Sequence, residues 1–155
     1  MNNQSHINPI NINADRMQRF MSFYQNLNSS NVSRLEISSL YHQEIEFNDP
    51  FHLINGLDDM TKYFLDLYEN VQEINFEFST YWASGDHFFS RWLMTYTHPK
   101  INGGQPVTVE GGSELIWQGD KIIFHKDLFD AGNMLYEHLP ILGWVIRKLK
   151  ARMAV

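Results

Sequence analysis

The stretch EIEFNDPFHLING, residues 44–56, holds the first side chains that could do chemistry. Glu44, Ile45, Glu46 and Phe47 alternate polar and apolar, as a half-buried strand does. Asp49-Pro50 should end that strand, because proline cannot donate to a ladder and restricts the residue before it. Asp49 is thereby set at a strand rim beside Phe47, Phe51, Leu53 and Ile54, with His52 close by. A carboxylate held at a dry wall is a better base than one in water. The plainer reading is that Asp49 caps its turn by accepting backbone hydrogen bonds, and that His52 is exposed loop.

FHKDLFD, residues 124–130, offers a second pair. His125 and Asp127 are two residues apart on an extended run, so they share one face of a strand. On a concave face both would enter a cavity; otherwise they face solvent or pair structurally. Asp130 reads as the cap of the turn that follows. Arg91, inside FFSRWLMTY, needs an acidic partner, and Glu110, Glu114 and Asp127 are the candidates. A structural ion pair, or a place at a dimer face, suits Arg91 better than catalysis does. Phe47, Phe64, Phe78, Trp82, Trp92, Tyr96 and Trp117, with His52 and Ser113, are candidates for a ligand wall, although aromatics at such spacings serve the core first. His52, His87, His98, His125 and the acids form no spaced metal motif. There is no cysteine, no glycine-rich phosphate loop and no Gly-x-Ser-x-Gly elbow, so no metal or other cofactor is expected.

The elements that must position these groups can be read from periodicity. The 155 residues suit one domain, with 43% hydrophobic and 14% aromatic residues to bury. Residues 1–13 are polar, Asn-rich and expected to be frayed; 14–155 form the domain. Met17, Phe20, Met21, Tyr24 and Leu27 make one helical stripe, and Val32, Leu35, Leu40 and Tyr41 a shorter helix capped by Asn31. After the Asp49-Pro50 loop, Leu57, Met60, Phe64, Leu67, Tyr68 and Val71 form a third helix. From residue 73 the period becomes two: Ile74, Phe76 and Phe78 point one way, in a run continuing to Trp82. Ser84-Gly85-Asp86 is a hairpin signal, and long strands follow at 87–98, 107–117 and 121–129. Gly111-Gly112 suggests a bulge. A helical tail closes the chain, its last helix running over 140–153. Segregated helices and antiparallel strands predict an α+β fold, a curved antiparallel sheet wrapped around the N-terminal helices into a cone whose mouth could hold a ligand.

The ordered set FMSFYQNL, LYHQEIEFNDPFHLINGLDDM, RWLMTYTH, GGSELIWQGDKIIFHKDLFDAG and LYEHLPILGWVIRKL resembles the SnoaL-like and ketosteroid-isomerase-like group of the nuclear-transport-factor-like superfamily, over about residues 15 to 150. The resemblance implies a cone that binds a small apolar molecule, a homodimer formed through the sheet, and either cofactor-independent isomerase, cyclase or hydratase chemistry or none. Asp49 matches the general base of the ketosteroid isomerases. Their two oxyanion donors do not carry over, since Phe23 stands where the tyrosine belongs and Ser113 where the acid belongs; Tyr24 and Glu114 are one residue away. Asp127 matches the acid/base of SnoaL-like cyclases. Catalysis by Asp49 and Asp127, supported by His125 and Arg91, is thus one expectation. A non-catalytic ligand-binding or dimerisation module is the other.

Net charge −6 disfavours nucleic acid as a partner. The N-terminus shows no basic region followed by an apolar run, so a cytoplasmic protein is expected. The basic amphipathic tail PILGWVIRKLKARM is expected to pack its apolar side on the acidic body. Attachment to a membrane surface or a partner, or a lid over the cone, is the less favoured role.

Overall fold

A computed structural model of the chain describes residues 12–153. The expected fraying at 1–13 falls mostly outside those residues; Ile12 and Asn13 already belong to a helix. Helix α1 (Ile12–Asn26) turns through Asn28–Asn31 into α2 (Arg34–Leu40). Ser33, rather than Asn31, caps α2 by accepting from the Glu36 amide, a bond worth about 1 kcal/mol. The Asn31 side chain instead accepts from Asn28 N–H and closes the turn. Then come β1 (Tyr41–Asn48), the short β2 (Leu53–Asn55) and α3 (Leu57–Asn70). Strands β3 (Glu73–Ser84), β4 (His87–Thr97), β5 (Val107–Gln118) and β6 (Lys121–Phe129) follow. A short α4 (Ala131–Met134), a 3₁₀ turn and α5 (Pro140–Met153) complete the chain. Asp130 caps α4, accepting from the amides of Gly132 and Asn133.

The six strands form one curved, open sheet in the order β2-β1-β6-β5-β4-β3. The expected all-antiparallel pairing is corrected at one pair, next to the β2 edge, where β1 lies parallel to β6. Parallel neighbours need a crossover, and the whole α3–β5 segment supplies it.

Strand parity decides what faces inward. On β4 the even residues Phe88, Ser90, Trp92, Met94 and Tyr96 are buried, and Arg91 and Leu93 point outward. A bulge between Phe78 and Thr80 shifts the phase of β3. Ile74, Phe76 and Phe78 pack inward, but Trp82 emerges on the outer face beside Phe89. Gly111 and Gly112 stay in unbroken register with β4, so they mark no bulge. They are needed for close approach: a Cβ on Gly111 would run into the Trp92 indole, and one on Gly112 into the Phe89 ring.

The core runs from Met17, Phe20, Ile37, Leu115 and Trp117 at the closed end of the cone to Trp92, Met94, Tyr96, Val107 and Val109 toward the other end. Helix α5 reverses its expected docking. Gly143, Arg147 and Lys150 face the body: Arg147 donates to the Glu137 carbonyl at 2.8 Å, and Lys150 pairs with Glu137 and Asp130. The apolar stripe of Leu142, Val145, Leu149 and Met153 is left outside. The neighbouring surface offers α5 carboxylates and a carbonyl instead of an oily groove, so the cations win the contact.

Gly111→Ala should cost about 1–3 kcal/mol in urea unfolding, the usual penalty for overpacking a filled site. Gly119→Ala should cost about 1 kcal/mol or less, because that turn has open space and only its positive φ to satisfy.

Candidate active site

One cavity of ≈480 Å³ opens between the concave sheet and α3. Ligand pockets commonly span about 300–1,000 Å³. Its wall is mostly aromatic: Phe47, Phe64 and Tyr68 on one side, Phe76, Trp92 and Tyr96 on the other. Phe51, His52, His98, Ile101 and Met134 line it and are exposed or half-exposed, so they mark the opening. Two carboxylates interrupt the apolar lining, Asp49 from the end of β1 and Asp127 from β6.

Asp49 caps its own turn and also stands at the cavity wall. Its Oδ1 accepts from the amides of Phe51 and His52, each at 2.7 Å, and His52 Nδ1 lies 3.0 Å away. Proline at position 50 lets the chain fold back so that those amides reach the carboxylate. The side chain is 5% exposed and still contributes to the cavity wall. Tyr63 from α3 lines the same cavity beside Asp49. Burial raises the Tyr63 phenol far above its ordinary value, and the nearby charges of Asp49 and Asp127 add to that shift.

Asp127 is held by a longer chain of donors. Ser113, paired with it across β5 and β6, donates to Oδ1 at 2.5 Å, and Trp92 Nε1–H donates to Ser113 Oγ at 2.9 Å. His125 Nε2 is 2.7 Å from the same Oδ1. Behind it, His125 Nδ1 lies 2.8 Å from the Tyr41 hydroxyl, which lies 2.6 Å from the Tyr24 hydroxyl. With the imidazole neutral, one proton arrangement satisfies every group. Tyr24 donates to Tyr41, Tyr41 to Nδ1, and Nε2–H to Asp127. Burial raises the phenols of Tyr24 and Tyr41 well above the ordinary value, so both stay protonated donors. Tyr24 itself reaches the cavity wall, so the chain begins and ends at the same hollow.

The other sequence candidates separate clearly. Phe47, His52, Phe64 and Trp92 line the cavity with the two acids. His125 is fully buried behind Asp127 and acts on the cavity only through it. Ser113 is corrected from the ligand wall to the layer behind, where its hydroxyl is used by Asp127 and Trp92. Arg91 is corrected to the outer face, where it pairs with Glu110 away from both acids. Trp82 is corrected to the outer face by the β3 bulge. Trp117 belongs to the closed end, packed on Phe88 with the Arg16 guanidinium 5.5 Å above its ring.

Sequence reasoning missed Tyr41 and Tyr63. Tyr41 was assigned to the second helix, yet it starts β1; counting back by twos from Phe47 through Ile45 reaches it. Tyr63 precedes Phe64 and lies three residues after Met60, at the border of the apolar stripe.

Comparison with known proteins agrees with this architecture. A family model described as the SnoaL-like domain matches residues 20–125. The chain belongs to the SnoaL-like domain family. No curated protein matches it. Among solved structures, it is similar to a ketosteroid isomerase-like protein from Catenulispora acidiphila in complex with trimethylamine (TM-score 0.67, 10% identity, 80% of this chain and 91% of that one). It is also similar to a candidate SnoaL-like polyketide cyclase from Jannaschia sp. (TM-score 0.63, 11% identity, 76% and 86%). A third is AclR, a candidate hydroxylase from Streptomyces galilaeus (TM-score 0.64, 21% identity, 84% and 96%). At such identities the SnoaL-like likeness establishes the fold and leaves the chemistry to the site.

Folding raises the phenols of Tyr24, Tyr41 and Tyr63 above the ordinary tyrosine value of 10.0. Above that pH the native state therefore holds protons that the unfolded chain has released. The resulting stabilisation is intact below the ordinary value and is lost as pH rises past it. Urea midpoints taken from about pH 9 to about pH 11 should fall steadily, with a shallower slope in Tyr41→Phe; parallel, flat profiles would contradict the buried network.

Proposed function

We propose that the protein binds a small, largely apolar carbonyl compound in its cone and moves a proton next to that carbonyl without a cofactor. The observation that carries this reading is that Asp49 and Asp127 share the wall of one aromatic cavity. A base needs a free lone pair facing the substrate and a fixed position. Asp127 has its Oδ1 committed to Ser113 and His125, which orients the carboxylate. Asp127 would take a C–H proton to leave an enolate, and return it at another carbon in an isomerisation, or to the alkoxide oxygen left when the enolate carbon adds to a second carbonyl of the same molecule in a ring closure. Asp49 is the second acid/base group. Tyr63, kept protonated by burial, is the O–H donor this wall can offer a developing oxyanion, since the Tyr24 O–H is already given to Tyr41. The ketosteroid-isomerase donor pair is not reproduced. Phe23 packs among Tyr24, Tyr41 and Phe64, and the Ser113 hydroxyl is already spent.

Among the named neighbours, a candidate polyketide cyclase supports a fused-ring or polyketide-like substrate class. Pairing of two copies through the outer sheet face belongs to the same reading, supported by the exposed Trp82, Leu93 and Leu128. The second reading is a binding module of the same fold, in which the acids only orient a ligand.

The two readings divide on proton exchange. In D₂O, the protein should accelerate deuterium incorporation alpha to the carbonyl of a bicyclic ketone such as 2-tetralone, followed by NMR. Asp127→Asn should lower that rate by about 10²–10⁴-fold and Asp49→Asn by a smaller factor. Both should keep ketone binding, because Asn can still accept the hydrogen bonds. Bound ketone with no acceleration, or with equal rates in both variants, would leave the binding module standing.

A further inference from the structure

We propose that α5 is a membrane-surface helix that attaches the protein to anionic lipid headgroups. This inference does not depend on the chemistry in the cavity. An amphipathic helix on a folded body ordinarily buries its apolar stripe. Helix α5 is docked the other way round, by Gly143, Arg147 and Lys150 against Glu137 and Asp130. A Cβ on Gly143 would run into the Glu137 carbonyl, so this side of α5 is in close contact with the body. Ile141 is left 82% exposed, Trp144 58% and Met153 80%, with Leu142, Val145 and Leu149 also open. An outward apolar stripe of this kind marks a surface to be covered.

Charge selects the cover. Four of the chain's 12 cations lie in this helix, which carries no acid, while the rest of the protein is acidic. Lys148 and Arg152 share this exposed face, along the side of the stripe nearest Trp144, with Lys148 Nζ 4.8 Å from the Trp144 ring. An apolar strip with cations along one side and a tryptophan beside them matches the boundary between headgroups and acyl chains. The acidic body would turn away from an anionic surface, so the charge asymmetry also orients the molecule with α5 foremost. A second copy suits the stripe less well. One face of a 14-residue helix is small against the about 800 Å² per partner of a stable interface. Facing stripes would also bring Lys148 and Arg152 toward like charges. The 3₁₀ turn ties α5 to Met134 and Leu135, which wall the cavity. Lipid attachment would thus hold the ligand site close to a phase in which apolar molecules dissolve.

The test uses the full chain in vesicle flotation, with phosphatidylcholine alone or with about 30 mol% phosphatidylglycerol. The protein should float with the anionic vesicles, release at about 0.5 M salt, and show a blue-shifted tryptophan emission that Trp144→Phe abolishes. Leu149→Asp and the double variant Lys148→Glu, Arg152→Glu should each lower partitioning at least about tenfold. Their melting temperatures should not change, because these side chains face away from the body. Failure to float with anionic vesicles, flotation unchanged in Leu149→Asp, or self-association that Leu149→Asp abolishes without any vesicle binding would each overturn the proposal.

Discussion

A carboxylate can stay in an oily wall only if its lone pairs are met, and the centre of this fold is organised around meeting those of Asp127. An unpaired charge at such a position would cost several kcal/mol. Oδ1 takes Ser113 from β5 and His125 from its own strand, β6, and each of those is fixed in turn by Trp92 or Tyr41. The chain of partners reaches α1 through Tyr24. Four strands and a helix must therefore be in register for one oxygen atom to be satisfied. The glycine at position 111 fits the same requirement, because it makes room for the indole that steadies Ser113.

The two acids are held by different means. Asp49 is fixed by the next three residues: a proline-directed turn brings two amides back to its own side chain. Such a device is local, which is why NDPFH is readable in the sequence as a carboxylate at a strand rim. Asp127 is fixed by residues 14 to 103 positions away in the chain, such as Ser113, Tyr41 and Tyr24. HKD shows only that a histidine and an acid share a face. The tyrosines behind them could be found only once β1 was known to lie beside β6.

The order of helices and strands was legible because helical and strand periods alternate cleanly along the chain. Interior and exterior were legible wherever parity ran unbroken, as along β4, where it also explains the outward Arg91. Parity failed at Trp82, since one extra residue in β3 reverses every side chain beyond it. It also says nothing about direction, so the parallel pairing of β1 with β6 could not be read from strand patterns alone. The stripe on α5 was visible, but the side it turns to the body depends on Glu137 and Asp130, and their positions are set by the turn that precedes the helix.

That parallel pair has a kinetic meaning. Phe47 pairs with His125 and Asn48 with Lys126 across a loop that contains α3 and the strands β3 to β5. Closing so long a loop is entropically costly, and non-local pairings slow the search for the native state. During synthesis, the N-terminal helices and β1 leave the ribosome well before their partner strand exists. The hollow thus cannot close until β6 and the turn behind it have been synthesised, and until then the aromatic side chains of its early strands and helices lack their final partners.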